Sequence, residues 1–200
     1  MAAERVSAQT YRLFIAIALP LEIKRAVLAA RENLREAAPL AAIRWTAENQ
    51  MHLTLRFLGN MPVGAVDGLI AEISTSLRPF TAVSLSARGI GFFPKPSSPR
   101  VVWAGIDDQG GQLRSLHKAL QSATCSLSAE PEANDFTPHL TLGRIREISR
   151  DEISRLRSVS QRLSAALFGE WTTTEIALMR SQLSATGAQY SVLATFPLTS

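Results

Sequence analysis

A four-residue motif, His-Leu-Thr-Leu, occurs twice in the chain, at residues 52–55 and 139–142. Side chains alternate between the two faces of a β-strand, so in each copy the histidine and threonine share one face and the leucines share the other. A strand that buries its leucine pair in a core therefore presents an imidazole and a hydroxyl on the opposite side. Because the chain has only 3 histidines, the repetition predicts that His52 and His139 belong to one site.

Each copy lies in a longer repeat. An apolar strand pattern and then an amphipathic stretch precede the motif, and a helical pattern followed by strand-like sequence comes after it. Ser149 and Glu152 have the spacing of a capping box at the start of the second of these later helices. The predicted elements, besides the two motif strands, are strands at 13–19, 82–86, 101–106 and 175–183 and helices at 66–77 and 153–167.

The repeat predicts one bilobal domain over residues 1–200, with approximate repeat halves at 11–100 and 101–200. Two similar lobes commonly pack about a pseudo-two-fold axis, which would bring the motif strands toward each other across a central cleft. The proline-rich segment 93–100 is expected to be an exposed loop between strands, near the mouth of that cleft.

Bulk composition is that of an ordinary globular protein, with 46% hydrophobic and 19% charged residues. The net charge of +4 suits an anionic partner such as nucleic acid, although a solvated basic surface would explain it equally well. The single cysteine, Cys125, excludes an internal disulfide and fits a reducing cytoplasm, and we expect it to be a small buried hydrophobe. No stretch approaches the roughly 18 apolar residues that a membrane span needs, so no membrane partner is expected.

Two histidines in one cleft suit a reaction in which one group takes a proton while another gives one, because imidazole titrates at about pH 6.5. Phosphodiester hydrolysis is such a reaction. One imidazole deprotonates the attacking water, and the other, as imidazolium, protonates the departing ester oxygen. The hydroxyls of Thr54 and Thr141 can hydrogen-bond the oxygens where negative charge grows. The near-symmetry of the motifs leaves open which histidine is the acid.

Competing chemistries lack their residues. The motifs have no cluster of Asp, Glu and His with the spacing of a metal site, so we expect neither a metal nor a cofactor. Glycine-rich phosphate loops and a Gly-x-Ser-x-Gly elbow are absent from the sequence. The third histidine, His117, has no partner in the repeat and is interpreted as an ordinary surface residue.

At these residues the chain resembles the 2H phosphoesterase superfamily, and specifically its bacterial RNA 2′,3′-cyclic phosphodiesterase branch, also called 2′-5′ RNA ligase. The resemblance covers nearly the whole chain. Besides the two motifs, the matching segments are 12–17, 44–45, 57–59, 91–94, 99–105 and 136–144.

The resemblance implies an α+β fold of two antiparallel sheets with helices outside and the two His-x-Thr strands lining a central cleft. It also implies hydrolysis of an RNA terminal 2′,3′-cyclic phosphate to a 2′-phosphomonoester, without a metal. By this similarity His52 is the proton donor and His139 the proton acceptor, and Thr54 and Thr141 bind phosphate oxygens. The chain is expected to act as a cytoplasmic monomer on RNA ends, tRNA fragments among them.

Further binding residues are expected around the motifs. Arg144 looks like the phosphate-contacting arginine of the family, but strict alternation would place it on the leucine face unless the strand has a bulge or ends at Gly143. Arg56 shares the face of His52 by period and could meet the substrate phosphate. Phe136 and Trp45 could stack on a base or pack within a lobe.

Several alternatives remain at this level. The same cleft could hold an RNA end without turnover, or it could hydrolyse small cyclic nucleotides. Reverse ligation of a 2′,3′-cyclic end to a 5′-hydroxyl follows from microscopic reversibility and would be side chemistry. Lys95 and Arg100, beside the proline-rich segment, could form a basic rim or be solvated loop charges.

Overall fold

The computed structural model of the protein describes residues 9–38, 42–128, 136–184 and 187–199. Within these residues the chain forms α-helices, β-strands and two short 3₁₀ turns. The strands are β1 (Thr10–Ala18), β2 (Ile43–Trp45), β3 (His52–Pro62), β4 (Val83–Lys95), β5 (Ser98–Asp107), β6 (His139–Ile145), β7 (Leu167–Thr173), β8 (Glu175–Ser184) and β9 (Gly187–Pro197), and the helices are α1 (Leu21–Ala37), α2 (Val66–Leu77), α3 (Gln112–Thr124) and α4 (Arg150–Arg162).

The strands form two antiparallel sheets, in the orders β3-β1-β8-β9 and β2-β6-β5-β4-β7. The α+β class and the two-sheet architecture are confirmed. Each sheet combines strands from both parts of the sequence, because β8 and β9 return to the sheet of β1 and β3, while β4 joins β5 and β6. The two lobes are therefore interleaved and are not the contiguous halves of the chain.

The helices also cross between lobes. Helix α1 follows β1 but packs on α4 and β7, whereas α3 follows β5 but packs on α2 and β3. Each helix buries one apolar stripe at helical spacing, as in α2, where Leu69, Ile73 and Leu77 are buried. Between helices and sheets lies the hydrophobic core, which includes both leucine pairs of the motifs. The crossing links the two sheets, so their motif strands are held in one body.

The helical predictions hold with one change of boundary. Helix α2 spans the predicted residues, and the capping box of α4 is formed, with Ser149 N–H donating to Glu152 Oε2 at 2.6 Å and Glu152 N–H donating to Ser149 Oγ at 3.3 Å. The extension of α4 to residue 167 is wrong. The helix ends at Arg162, and Leu167 instead starts β7, paired with Arg88 of β4.

The segment 93–100 is not the loop that its three prolines predict. Strands β4 and β5 continue through it, and only residues 96–97 form the turn between them. Pro94 pairs with Pro99, so both missing N–H groups fall at the same position near the tip, where few ladder hydrogen bonds are lost. Cys125 is exposed and not buried as expected. No helix among the described residues is long and apolar enough to cross a membrane.

Gly91 tests the packing between β4 and β5, where the Trp103 indole lies across the glycine. A Cβ at Gly91 would overlap the indole ring, so Gly91→Ala should lower the free energy of unfolding by about 1–3 kcal/mol through overpacking. Gly68→Ala is the matched control, because no atom lies within 4 Å of its added Cβ. This control should stabilise α2 by about 0.5–1 kcal/mol. Urea unfolding measures both, and a Gly91→Ala protein as stable as wild type would contradict the packing described.

Candidate active site

The two motif strands meet at one cleft. Strand β3 lies at the edge of one sheet and contacts β6 of the other. The cleft between them has a volume of about 720 Å³, and its lining includes His52, Thr54, His139 and Thr141. The structure therefore brings together the four residues that the repeated motif predicts. A volume of this size accommodates a nucleotide-sized ligand.

Burial of the leucines aims the polar side chains into the cleft. In β3, Leu53 is 0% and Leu55 2% exposed, and both leucines of β6, Leu140 and Leu142, are 0% exposed. The histidine and threonine of each copy are only partly buried. The alternation expected of the motif is thus present in both strands.

Backbone carbonyls orient both imidazoles. The Nδ1–H of His139 donates to the carbonyl oxygen of Thr137 at 2.8 Å, which leaves Nε2 as the unprotonated nitrogen of the neutral ring. His52 hydrogen-bonds to the backbone of Gln50, again two residues before the histidine. Gln50 is itself held in place, because its side-chain nitrogen donates to the Ala188 carbonyl at 2.6 Å. The same local device therefore fixes a ring in each motif.

Aromatic rings enclose both histidines. Phe14 stacks on His52 with ring centroids 4.7 Å apart, and Tyr190 meets the same imidazole edge-on at 5.3 Å. On the other side of the cleft, Phe93 meets His139 edge-on at 4.9 Å. These contacts exclude water from one side of each imidazole and restrict its rotation. The sequence did not predict these contacts with the histidines, because Phe14 and Phe93 resemble ordinary strand residues.

This enclosure shifts the titration of both histidines. Burial lowers the pKa of His52 from 6.5 to about 4; the hydrogen bond to Gln50 opposes the shift, and the nearby charges of Lys24 and His139 add to it. Burial also lowers the pKa of His139, against the hydrogen bond to Thr137 and with a further contribution from Arg144. Since desolvation disfavours the imidazolium form, both rings are neutral in the free cleft near pH 7.

A β-bulge in β6 brings Arg144 into the cleft. Along the β5–β6 pair, Val102 faces Gly143 but Trp103 faces Thr141, so the register shifts by one residue. Beyond the shift the alternation is reversed, and Arg144 is exposed and lines the cleft. The irregularity expected at Gly143 is confirmed. It explains why Arg144 lies in the cleft although strict alternation would place it on the leucine face.

The same irregularity in β3 has the opposite effect on Arg56. The register with β1 shifts between Ile15, which faces Arg56, and Ala16, which faces Thr54. Arg56 is 4% exposed and does not line the cleft, so its placement on the histidine face by simple period is wrong. Phe57 occupies the cleft face instead and is 54% exposed. The two bulges place the second residue after each motif in the cleft, and the sequences differ at that position, with Phe57 in one lobe and Arg144 in the other.

The cleft is cationic. Among the described residues its lining contains three arginines, Arg12, Arg44 and Arg144, and no Asp or Glu. Arg44 of β2 is the direct cross-strand partner of Arg144, an arrangement that is unfavourable between like charges unless an anion lies between them. Arg12 and Arg44 fall in segments that resemble the family, but no motif or period in the sequence assigns them to the site.

Of the two aromatic residues expected to stack on a base, only one lies in the cleft. Phe136 stacks on His117, with ring centroids 4.3 Å apart and planes 3° apart, and is not part of the cleft lining. His117 is itself buried, against expectation, and bonds through Nδ1 to the Leu55 carbonyl at 2.8 Å. Trp45 does line the cleft. The Arg31 guanidinium lies 5.8 Å from the Trp45 ring centroid and fixes this wall of the cleft.

The basic rim and the loop expected at the cleft mouth do not line the cleft. Lys95 and Arg100 are outside the cleft lining, as is the whole segment 93–100. Within the described residues no group of three or more His, Cys, Asp or Glu side chains could hold a metal ion. The polar groups that the cleft lining does supply are imidazoles, hydroxyls and guanidinium groups.

Comparison with known proteins supports the repeat and the fold. A family model described as LigT-like phosphoesterase matches the chain twice, over residues 17–103 and 105–190. An RNA 2′,3′-cyclic phosphodiesterase of Methanothermobacter thermautotrophicus is 28% identical over 188 residues, covering 94% of this chain and 98% of the relative. One of the same name from Thermus thermophilus is 32% identical over 197 residues, covering 94% and 90%.

Solved structures share the architecture. A crystal structure of a protein from Thermus thermophilus superposes with a TM-score of 0.76 at 31% identity, covering 94% of this chain and 97% of that one. The structure of E. coli LigT complexed with 3′-AMP gives a TM-score of 0.76 at 26% identity, covering 96% and 100%.

The enclosure of His52 predicts its titration. In the free protein the His52 imidazole should titrate near pH 4, and Phe14→Ala, which opens one ring face to water, should raise the midpoint toward about 6.5. Between about pH 4 and pH 6.5 the unfolded wild-type chain binds a proton at His52 that the folded chain does not. The free energy of unfolding of the wild-type protein should therefore fall as the pH drops through this range. NMR titration of the imidazole resonances measures the midpoint. A value near 6.5 in the wild-type protein would contradict the described burial.

Proposed function

The chain belongs to the LigT-like phosphoesterase family, and we propose that it hydrolyses the 2′,3′-cyclic phosphate at the end of an RNA strand. The observation that carries the proposal is that both His-x-Thr pairs line one cleft, whose described lining also carries three arginines. Such a site suits an anion that must receive one proton and lose another. Relatives named RNA 2′,3′-cyclic phosphodiesterase over most of the chain length support the substrate.

The proposed reaction breaks the bond between phosphorus and the ribose 3′ oxygen. His139, neutral and held by Thr137, takes a proton from the attacking water through Nε2. His52, as imidazolium, gives a proton to the departing 3′ oxygen. The water oxygen is then bonded to phosphorus, and the product is a 2′-phosphomonoester with a free 3′-hydroxyl. The direction of these roles follows the family resemblance.

Electrostatics suit this division of roles. Burial, with a smaller contribution from Arg144, lowers the pKa of His139, which keeps that ring neutral and able to accept a proton. The low pKa of His52 makes its imidazolium a strong acid but leaves it scarcely protonated in the free cleft. A bound phosphate anion offsets this cost, because a nearby negative charge favours the imidazolium form. Substrate binding and protonation of His52 are therefore linked.

Charge on the reacting phosphate is proposed to be balanced by hydroxyls and guanidinium groups. Thr54 and Thr141 enter the cleft from opposite strands and can donate to the non-bridging oxygens. Arg144 and Arg44, side by side across β6 and β2, can share one phosphate between them. A phosphate there relieves the repulsion between the two cations. Reverse 2′-5′ ligation, with a 5′-hydroxyl in place of water, would use the same groups.

Removal of either histidine tests the proposal. Wild-type protein, assayed with EDTA present, should convert an oligoribonucleotide ending in 2′,3′-cyclic phosphate to the 2′-monophosphate. His52→Ala and His139→Ala should each lower kcat by about 10²-fold or more, since each removes one proton-transfer role. Mass spectrometry and phosphatase sensitivity identify the product.

His117→Gln is the matched control, because this third histidine is buried outside the cleft. If circular dichroism shows that His117→Gln is folded, its kcat with the cyclic-phosphate substrate should stay close to that of wild type. Near-normal turnover by either cleft variant would refute the two-histidine mechanism. Activity lost in EDTA and restored by a divalent ion would refute its independence from metals.

A further inference from the structure

The cleft face of the β1 sheet carries an ordered row of side chains that the proposed chemistry does not use. Phe14, which stacks on His52, pairs with Phe57 on β3. Two residues further along the same face of β1, about 7 Å away, is Arg12. Its cross-strand neighbours are Asn60 on β3 and Ser181 on β8. Moving away from the histidine, the face therefore presents an aromatic pair and then a polar row with a cation.

Arg12 is available to a ligand. It is exposed and lines the cleft together with Ser181. Across the described ranges both ion pairs lie on α1, between Glu32 and the arginines at positions 31 and 35, so no carboxylate neutralises Arg12. Guanidinium, amide and hydroxyl groups in one row are donors suited to phosphate oxygens.

The two lobes differ at this level, and the difference gives the row a direction. By register, Arg144 on β6 corresponds to Phe57 on β3, and Pro99 on β5 corresponds to Arg12 on β1. The sheet of β6 thus places its cation next to the reacting centre, whereas the sheet of β1 places an aromatic ring there and its cation one step farther out. In an RNA strand each nucleoside lies between the phosphate on its 3′ side and the phosphate on its 5′ side, and its base can stack on an aromatic ring.

We propose that Arg12, with Asn60 and Ser181, binds the phosphate on the 5′ side of the terminal nucleoside, while the exposed Phe57 ring supports its base. This inference rests on the proposed function and specifies its substrate class. The cleft selects RNA ends that carry an upstream phosphodiester over nucleoside 2′,3′-cyclic phosphates that lack one. Since hydrogen bonds to a charged group are strong, the upstream phosphate should raise kcat/KM by about ten-fold or more.

A pair of small substrates tests the subsite. A nucleoside 2′,3′-cyclic phosphate is compared with the same compound carrying a 5′-phosphate. Wild-type protein should favour the 5′-phosphorylated compound by about ten-fold or more. Arg12→Gln should lower kcat/KM far more for the 5′-phosphorylated compound, so that the ratio falls toward one, and Arg12→Lys should keep part of it. The rate with that substrate should also fall less steeply with rising salt in Arg12→Gln, because one attraction between opposite charges is lost.

Arg78→Gln is the matched control, since Arg78 is an exposed arginine at the end of α2 outside the cleft lining. Its two rates and their ratio should equal those of wild type. Equal losses on both substrates in Arg12→Gln would assign Arg12 to the reacting phosphate and overturn the subsite, and so would a wild-type ratio near one. Wild-type protein that hydrolyses neither compound nor a longer cyclic-phosphate RNA would refute the proposed function itself.

Discussion

Burial of the two leucine pairs is the constraint on which the cleft depends. Leu53 and Leu55 in one sheet and Leu140 and Leu142 in the other are almost fully buried. Because strand side chains alternate, this burial commits the histidine and threonine of each copy to the opposite face. A register slip of one residue would bury both imidazoles and expose the leucines, so core stability and the position of the candidate site are set by the same interaction.

A bulge at the last leucine of each motif brings residues that differ between the two lobes to equivalent positions of the site. It turns Arg144 toward the cleft in one lobe and Phe57 in the other, while Arg56 turns into the interior. The histidines and threonines lie before the bulges and keep their near-symmetry, which suits two opposite proton transfers on one phosphate. The residues after the bulges differ, which suits a substrate whose two sides differ.

Much of the fold follows from local pattern, and the failures have identifiable physical causes. Periodicity located α2, and the Ser149–Glu152 spacing located the start of α4, because both signals are local. Periodicity placed Arg56 on the wrong face of β3, because a bulge depends on pairing with another strand and leaves no local signal. The strands continued through the prolines at positions 94 and 99 because these face each other across the hairpin. Exchange of strands between lobes, the Phe136–His117 stack and the rings around His52 are contacts between distant segments, and no local pattern encodes them.

The central claim is that the two histidines perform opposite proton transfers on one cyclic phosphate. Its most direct test is the pH dependence of kcat/KM for wild type and for the residual activities of His52→Ala and His139→Ala. The wild-type profile should be bell-shaped, with limbs that belong to the coupled pair. His52→Ala, which lacks the acid, should no longer show the fall in kcat/KM at high pH. His139→Ala, which lacks the base, should no longer show the fall at low pH. A wild-type rate that rises to a plateau, or loss of the same limb in both variants, would contradict the claim.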